Sequence, residues 1–343
     1  MQVYLEKQND VKNLQSLDKS NRIYITCLTK KESESSNMKK VKLGNTDLQV
    51  PAIALGCMRL GGMDEKNVKE FVETAMEHGI NYIDHADIYG GGYCEELFGK
   101  AIDLKGDNRE KFFIQSKCGI VPGVKYDLSK EYILNSVDGI LSRLGTEYLD
   151  CLILHRPDAL VEPEEVAQAF DKLEKLGKVK YFGVSNMDSM QIELLKKSVK
   201  QPIVCNQLQL SITNSNMIAS GMEVNMCTDG AVNRDGSILN YCRLNDITIQ
   251  TWSPFQFGMF EGSFLGNERF PELNKVIDEL AEKYNVTNTA IATAWIMRHP
   301  ANMQMVAGTT NKERLIQIAK ATEIQLSRDE WYRLYLSAGH ILP

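Results

Sequence analysis

The stretch LDCLILHRPDALVEPEEVAQAFDKLEKLGKVKYFGVSN (149–186) decides the fold of this chain. It opens with the mainly apolar run LDCLILH (149–155), and a continuous apolar run is typical of a strand buried on both faces of a parallel sheet. The amphipathic stretch EEVAQAFDKLEKLG (164–177) follows, with apolar residues at helical spacing. A second apolar run, VKYFGVSN, occupies 179–186. Strand, helix and strand in this order predict one unit of a parallel α/β fold.

The same alternation of apolar run and amphipathic stretch continues on both sides of this unit. The eight strand candidates are 52–58, 82–87, 112–118, 149–155, 179–186, 203–210, 247–254 and 304–310. Eight strand-helix units in about 290 residues predict a (β/α)₈ TIM barrel, an α/β fold. The alternative is a doubly wound open sheet, which usually has fewer strands and, for dinucleotides, a G-x-G-x-x-G motif that this sequence lacks. We predict a β-hairpin at KVKLGNTDLQV (40–50), with its turn at 45–47, that plugs the N-terminal end of the barrel. We also predict an extra C-terminal helix and tail at 327–343.

Composition is that of an ordinary soluble globular protein. The 343 residues include 39 Lys and Arg and 45 Asp and Glu, so the net charge is 39 − 45 = −6. Nucleic-acid binders usually show a clustered basic excess, and no apolar run reaches the ~18 residues that a membrane span needs. We therefore expect neither nucleic acid nor a membrane as a partner.

The cysteines and the first 38 residues bear on compartment and domain organisation. None of the eight cysteines forms a C-x-x-C pair, which argues against a zinc or redox motif. Residues 1–38 are polar and contain no glycine, and their apolar cluster at 23–28 is too short for a signal peptide. We predict a reduced, cytoplasmic protein. Residues 1–38 are expected to form an N-terminal extension, either disordered or lying loosely on the domain, and 39–343 the barrel domain.

Four titratable side chains stand where predicted strands end. Asp84 ends the second strand and Tyr89 follows five residues later, Lys117 ends the third strand, and His155 ends the fourth. Active sites of (β/α)₈ barrels lie at the C-terminal ends of the strands, so we expect the four to meet at one rim. An ammonium lowers the pKa of a nearby phenol from its usual value near ~10. Such a set can protonate a carbonyl oxygen, but it needs a cofactor as the source of electrons.

Each of these residues also has other interpretations. Taken singly, Asp84 fits a helix cap or an ion pair, Tyr89 an anchor at the rim, and His155 a core histidine. His85 with Asp84 and Asp87 offers metal ligands, but no second histidine cluster accompanies them, so no metal is expected. The stretch GVSNM (183–187) lacks the second glycine of a hydrolase nucleophile elbow. A lyase or isomerase that uses Lys117 as a Schiff-base amine stays open.

Seven motifs, in order along the chain, resemble those of the aldo-keto reductases. They are YIDHADIYGGGYCEELFGKAI (82–102), SK (116–117), YLDCLILHRPD (148–158), FGVSN (182–186), NQ (206–207), WSP (252–254) and GTTNKERL (308–315). The resemblance covers about residues 39–340 and is greatest to the bacterial oxidoreductase branch of that superfamily. It implies an NADP(H)-dependent oxidoreductase on a barrel without a separate dinucleotide-binding domain.

The resemblance also implies roles for individual residues. Tyr89 is the general acid, Lys117 lowers its pKa, Asp84 pairs with Lys117, and His155 orients the carbonyl. The implied cofactor-binding residues, from the nicotinamide through the pyrophosphate to the adenosine 2′-phosphate and adenine, are Ser185, Asn186, Gln207, Trp252, Ser253, Pro254, Phe255, Gly308, Thr309, Thr310, Arg314 and Gln317. We expect NADP(H) as cofactor. Gly308 stands where several relatives have a lysine, which removes one phosphate contact and weakens the preference over NAD(H), so we also expect NAD(H) to bind at lower affinity.

The function implied is NADPH-dependent reduction of an aldehyde or ketone to an alcohol. The alternative is an NADP(H)-binding, redox-sensing auxiliary subunit with little turnover. The expected partner is a small carbonyl substrate, in a pocket walled by Met58, Arg59, Tyr89 and the loops 120–126, 211–236 and 255–266. Arg59 and Arg156 favour an anionic substrate unless each pairs with a carboxylate. The sequence leaves the substrate, the oligomeric state and the role of 211–236 open.

Overall fold

The computed structural model describes residues 38–341. The predicted extension therefore lies outside the described residues, except for Met38, and its boundary with the domain stays a prediction. Within 38–341 no helix is both long enough and apolar enough to cross a bilayer. The seven cysteines of this part of the chain are free thiols.

Eight parallel strands close into a barrel, which confirms the predicted (β/α)₈ fold. In chain order the strands, numbered with those of two small hairpins, are β1 (Lys40–Lys42), β2 (Gln49–Pro51), β3 (Ile53–Gly56), β4 (Tyr82–Asp84), β5 (Phe113–Cys118), β6 (Ile120–Val121), β7 (Lys125–Tyr126), β8 (Leu149–Leu154), β9 (Val179–Ser185), β10 (Ile203–Gln209), β11 (Thr248–Trp252) and β12 (Met303–Ala307). Around the barrel the order is β3, β4, β5, β8, β9, β10, β11 and β12, and β12 pairs with β3 to close it. All C-terminal strand ends therefore share one rim.

Helices surround the barrel, and six of the twelve helices described begin after a residue whose side chain caps the first turn. They are α1 (Glu65–Glu77), α2 (Tyr93–Ile102), α3 (Asp107–Glu110), α4 (Lys130–Leu144), α5 (Pro163–Lys175), α6 (Ser189–Lys196), α7 (Asn216–Met222), α8 (Ile238–Leu244), α9 (Pro271–Tyr284), α10 (Asn288–Arg298), α11 (Lys312–Lys320) and α12 (Arg328–Ser337). The side chains of Asp188 and Ser327 form capping boxes at the starts of α6 and α12, which satisfies amides that the first helical turn leaves free.

The predicted hairpin is present and covers the N-terminal end of the barrel. β1 and β2 pair antiparallel. The Gly44 amide donates to Thr248 Oγ1, at the start of β11, over 2.7 Å. A Cβ on Gly44 would lie 2.6 Å from the Val204 carbonyl oxygen, and its φ is +56°, so this close approach requires glycine. The predicted C-terminal helix is α12, and its Trp331 ring stacks on Trp295 of α10 at 4.8 Å.

Two segments differ from the sequence-based expectation. The seventh unit has a second helix, α10, that the pattern did not reveal. Its residues Thr289–Met297 are all buried, so it shows no polar stripe from which a helical period could be recognised. The segment 211–236, expected as a loop, contains α7 and a short 3₁₀ turn at Asp229–Ala231.

Candidate active site

Four side chains from three neighbouring strand ends meet at the C-terminal rim. Asp84 is the last residue of β4, Lys117 is the last but one of β5, and His155 directly follows β8. Tyr89 begins a 3₁₀ turn, Tyr89–Gly92, in which Gly90, Gly91 and Gly92 have φ values of +59°, +65° and +95°. Only glycine adopts three such conformations in succession at little cost, and this tight reversal leads from Tyr89 directly into α2.

Lys117 is the centre of the hydrogen-bonded set. Its Nζ donates to Asp84 Oδ2 over 2.8 Å, to Tyr89 Oη over 3.1 Å and to the His85 carbonyl oxygen over 2.7 Å. Lys117 is 0% and Asp84 1% exposed. All three donors of the ammonium are used, so the buried charge is compensated. The rings of Tyr89 and His155 meet edge to face with centroids 6.2 Å apart.

The protonation states of this set follow from burial and charge. Burial opposes the charge on Lys117, but the Asp84 carboxylate and Tyr89 outweigh it and raise the Lys117 pKa. Burial, followed by the charges of Lys117 and Arg156, holds the pKa of His155 well below its usual range. At neutral pH the site therefore contains an ammonium and a neutral imidazole.

The pKa of Tyr89 is set by two opposing effects. The resemblance implied that Lys117 lowers this pKa. Lys117 does act in that direction, but desolvation of the phenolate is the larger effect, and the Tyr89 pKa is raised above its ordinary value. Desolvation outweighs the ammonium because the Asp84 carboxylate, which is bonded to Lys117, offsets the charge of that ammonium. The phenol is thus held in its protonated form, which is the form that donates a proton.

A network of amide side chains inside the barrel supports Asp84. Gln115 Nε2 and Gln207 Nε2 donate to Asp84 Oδ1 over 2.6 and 3.0 Å. Both also donate to Gln250 Oε1, over 2.9 and 3.1 Å, and all three glutamines are buried. Sequence reasoning missed Gln115 and Gln250. Their only signal is a polar residue inside an apolar strand, which does not reveal the partner on another strand.

A second buried acidic group lies beside the Tyr89 turn. Glu95 is fully buried and accepts from Ser116 Oγ over 2.6 Å and from Arg143 Nε over 2.8 Å. Asp87 Oδ1 is buried without a hydrogen-bond partner among the described residues. Burial and then the Glu95 carboxylate raise the pKa of Asp87 to about 7, against the opposing charge of Arg143. The Asp87 charge is therefore disfavoured in the folded protein.

We expect Asp87→Asn to be more stable than wild type, and we expect this gain to be larger at pH 8 than at pH 4. Because the folded-state pKa is raised, the folded chain binds more protons than the unfolded chain between about pH 4 and pH 7, and stability falls as pH rises through that window. The variant lacks this loss, so its gain over wild type should grow by roughly 1–3 kcal/mol from pH 4 to pH 8. Urea unfolding at both pH values measures it, with the exposed Asp107→Asn as control. A gain that is equal at the two pH values would contradict the buried-acid assignment.

Asp84, Tyr89, Lys117 and His155, here called the tetrad, lie at the floor of a cavity of about 940 Å³, which is lined by all of them except Lys117. Of the residues predicted to bind the cofactor, eleven line this cavity: Ser185, Asn186, Gln207, Trp252, Ser253, Pro254, Phe255, Gly308, Thr309, Thr310 and Arg314. Gln317 is not among its lining residues and lies one turn farther along α11. None of the described residues of 211–236 lines the cavity, so that segment does not form the expected wall.

At one end of the cavity, hydrogen bonds arrange the residues next to the tetrad. Ser185 Oγ donates to the Gln207 carbonyl oxygen over 2.9 Å, and Asn186 Nδ2 donates to Ser185 Oγ over 2.7 Å. Trp252 Nε1 donates to Asn186 Oδ1 over 3.2 Å. The indole is thereby held in one orientation beside a polar patch, an arrangement suited to a flat, amide-bearing ring.

At the other end, the start of α11 carries cationic and hydroxyl groups. Asn311 caps the helix by accepting from the Arg314 amide over 2.8 Å, and the Asn311 amide donates to Thr309 Oγ1 over 3.1 Å. Two amides near the helix start are thus already bonded. An anion here would depend on the Arg314 guanidinium, the neighbouring hydroxyls and the remaining first-turn amides.

Arg59 is placed at this same end, which the sequence did not indicate. Its guanidinium donates to the carbonyl oxygen of Gly308, a residue 249 positions away. A Cβ on Gly308 would lie 3.6 Å from Arg59 Nη1. The Arg59 charge therefore occupies the space beside Gly308, where the resemblance had implied that a lysine is missing. Arg59 does not pair with a carboxylate among the described residues, and it lies at the α11 end of the cavity.

Comparison with known proteins decides the family. The model of the aldo/keto reductase family matches residues 52–335. The chain belongs to the aldo-keto reductase family. This family of oxidoreductases is the one that the sequence motifs resembled, and the barrel with its rim-sited tetrad is the expected architecture.

Three relatives of this aldo-keto reductase are informative. The uncharacterized oxidoreductase YcsN of Bacillus subtilis is 32% identical over 319 residues, which cover 89% of this chain and 100% of that protein. A 6-dehydroglucose reductase of Agrobacterium fabrum is 31% identical, covering 88% of this chain and 98% of that protein. The crystal structure of an aldo-keto reductase from Klebsiella pneumoniae in complex with NADPH superposes with a TM-score of 0.68 at 25% identity, covering 87% of this chain and 94% of that one.

Proposed function

We propose that this aldo-keto reductase uses NADPH to reduce an aldehyde or ketone to an alcohol, with Tyr89 as the proton donor. The observation that carries the proposal is the Tyr89–Lys117–Asp84 hydrogen-bonded set on the floor of a cavity whose far end is cationic. The name of one relative, a 6-dehydroglucose reductase, supports reduction of a carbonyl compound. The NADPH complex of another supports the choice of cofactor.

The residues of the cavity fit an NADP(H) molecule by their chemistry. Ser185, Asn186 and Gln207 present amide and hydroxyl groups beside the Trp252 indole, which suits a nicotinamide carboxamide over an aromatic surface. Arg314 and Arg59 supply two guanidinium groups at the opposite end, which suits phosphate groups. When bound, the cofactor supplies the hydride that the side chains cannot.

The tetrad residues have separate tasks in the proposed reaction. The Tyr89 hydroxyl donates its proton to the carbonyl oxygen as negative charge develops there. Lys117 holds that hydroxyl in place and stabilises the phenolate that remains, and Asp84 keeps Lys117 charged and oriented. His155, neutral because of burial and its cationic neighbours, offers a hydrogen bond to the same oxygen without competing for its proton.

A steady-state assay with a panel of aldehydes and ketones tests this proposal. Loss of NADPH absorbance that depends on both protein and carbonyl compound is the expected result. Tight NADPH binding with no turnover on any carbonyl compound would contradict the proposal and favour the redox-sensing subunit instead. Covalent trapping of a carbonyl substrate on Lys117 by borohydride would favour a Schiff-base enzyme.

We expect Arg314→Ala to weaken NADPH binding much more than NADH binding. If Arg314 contacts the 2′-phosphate, its removal costs one charge-assisted hydrogen-bonded pair, which corresponds to about 10–100-fold in Kd. NADH lacks that phosphate, so its Kd should change little. Fluorescence titration with both nucleotides measures the difference. The exposed Arg328→Ala at the start of α12 is the matched control, and equal weakening of both nucleotides by Arg314→Ala would place the 2′-phosphate elsewhere.

A further inference from the structure

Arg156 is a cavity-lining arginine without a charged partner among the described residues. It directly follows His155 at the end of β8, and its side chain is half-buried. Its guanidinium carbon lies 5.9 Å from the centre of the Trp252 ring. The arginine ion pairs within residues 38–341 involve Arg109, Arg143 and Arg333, and Arg156 takes part in none of them.

The acids that might neutralise Arg156 are committed elsewhere. Asp84 is the only acidic residue among the described residues that line the cavity, and it is paired with Lys117. Asp158, the acid nearest along the chain, accepts from the Leu128 amide over 3.0 Å and from the Leu160 amide over 2.8 Å. The donors of this half-buried guanidinium are not bonded to any acid within residues 38–341, so this end of the cavity is suited to an anion brought by a ligand.

The three arginines of the cavity are divided between its two ends. Arg59 and Arg314 stand beside Gly308 and the start of α11. Arg156 instead directly follows His155 at the end of β8, and its guanidinium lies over the Trp252 ring. The Arg156 guanidinium therefore belongs to the His155 and Trp252 side of the cavity and is separate from the pair that suits the cofactor phosphates.

We propose that Arg156 binds a carboxylate of the substrate, so that the preferred substrates are aldehydes or ketones that also carry a carboxylate group. This inference rests on the proposed reductase function. A carboxylate matches the planar guanidinium fork with two parallel hydrogen bonds. A phosphate monoester carries about −1.5 to −2 charges, and a single arginine at this end compensates only one of them, so the carboxylate is the better match.

A matched pair of substrates tests the proposal. The aldehyde 4-oxobutanoate and its methyl ester have the same carbon chain and differ in the charge of the terminal group. We expect kcat/KM with NADPH to be about tenfold or more higher for the acid than for the ester. In Arg156→Met the acid-to-ester ratio should fall close to one, and Arg156→Lys should give an intermediate ratio. Arg234→Met removes the same charge from an exposed loop site and should keep the wild-type ratio.

Other outcomes separate this inference from the proposed function. Turnover of both aldehydes with equal kcat/KM in the wild type, or a ratio that Arg156→Met leaves unchanged, would overturn the carboxylate assignment while the reductase function stands. The enzyme could instead prefer glyceraldehyde 3-phosphate over glyceraldehyde and lose this preference in Arg156→Met. That result would show that Arg156 binds a phosphate rather than a carboxylate. If no aldehyde is reduced, calorimetric titration of butanoate in the presence of NADP⁺ still tests the carboxylate site. If butanoate binds to wild type and binds about tenfold more weakly to Arg156→Met, the inference is supported. If butanoate does not bind to wild type, the inference is overturned.

Discussion

Replacement of Tyr89 by phenylalanine is expected to lower kcat by about 10²–10⁴-fold, the usual contribution of a positioned general acid. The ring stays, so packing against His155 is retained, but the hydroxyl that Lys117 holds at 3.1 Å is removed. Since burial keeps this phenol protonated, its main contribution at neutral pH is the proton itself. Steady-state assays with NADPH and one turned-over aldehyde measure the loss.

Cofactor binding is the control for the Tyr89 variant. The phenolic oxygen is removed from the floor of the cavity, whereas the groups suited to the nicotinamide and the phosphates lie on other elements. We therefore expect the Kd for NADPH to change less than about threefold, which is well below the tenfold change that about 1.4 kcal/mol represents. A Tyr89→Phe variant that retains the wild-type kcat would rule out the proton-donor role.

Lys117→Met should give the largest combined loss of stability and activity. It leaves the Asp84 carboxylate 1% exposed with only amide donors from Gln115 and Gln207. Breaking a buried ion pair from one side typically costs about 3–5 kcal/mol, a substantial part of the 5–15 kcal/mol that stabilises an ordinary domain. Urea unfolding at pH 7 measures the change in the free energy of unfolding.

The double variant Asp84→Asn with Lys117→Met separates stability from catalysis. It removes both charges, so no buried carboxylate is left unpaired, and we expect it to recover much of the stability lost by Lys117→Met alone. Turnover should stay low in both variants because neither holds the Tyr89 hydroxyl in place. Recovery of kcat together with stability would show that Lys117 acts only on folding. A Lys117→Met variant as stable as wild type would contradict the ion pair.

The barrel was predictable because its signal is periodic and local. Each buried parallel strand is an apolar run, and each helix packed on it has one apolar face, so the eight units can be read from spacing alone. The helix α10 gives no such signal because its residues 289–297 are buried on every side. The 211–236 segment was expected to be a loop because its helix α7 spans only seven residues within a polar stretch.

The candidate site was predictable as a set of residues and less so as an electrostatic environment. That Asp84, Lys117 and His155 share a rim follows from the rule that strand ends meet there. The direction of the Tyr89 pKa shift did not follow, because it depends on the balance between desolvation of the phenol and the charges of Lys117 and Asp84. The same holds for Asp87, whose partnerless oxygen and buried acidic neighbour Glu95 arise only after α2 packs on the barrel.

By itself, then, the amino-acid order determined the (β/α)₈ architecture, the family resemblance and the identity of the side chains at the strand ends, since these depend on patterns within a few tens of residues. Only the tertiary structure decided which charges are neutralised. Arg59 meets the Gly308 carbonyl across 249 residues, whereas Arg156 meets no acid among the described residues because Asp84 and Asp158 are bonded to other groups. Pairing of charges depends on distance and burial in three dimensions, which sequence spacing does not contain.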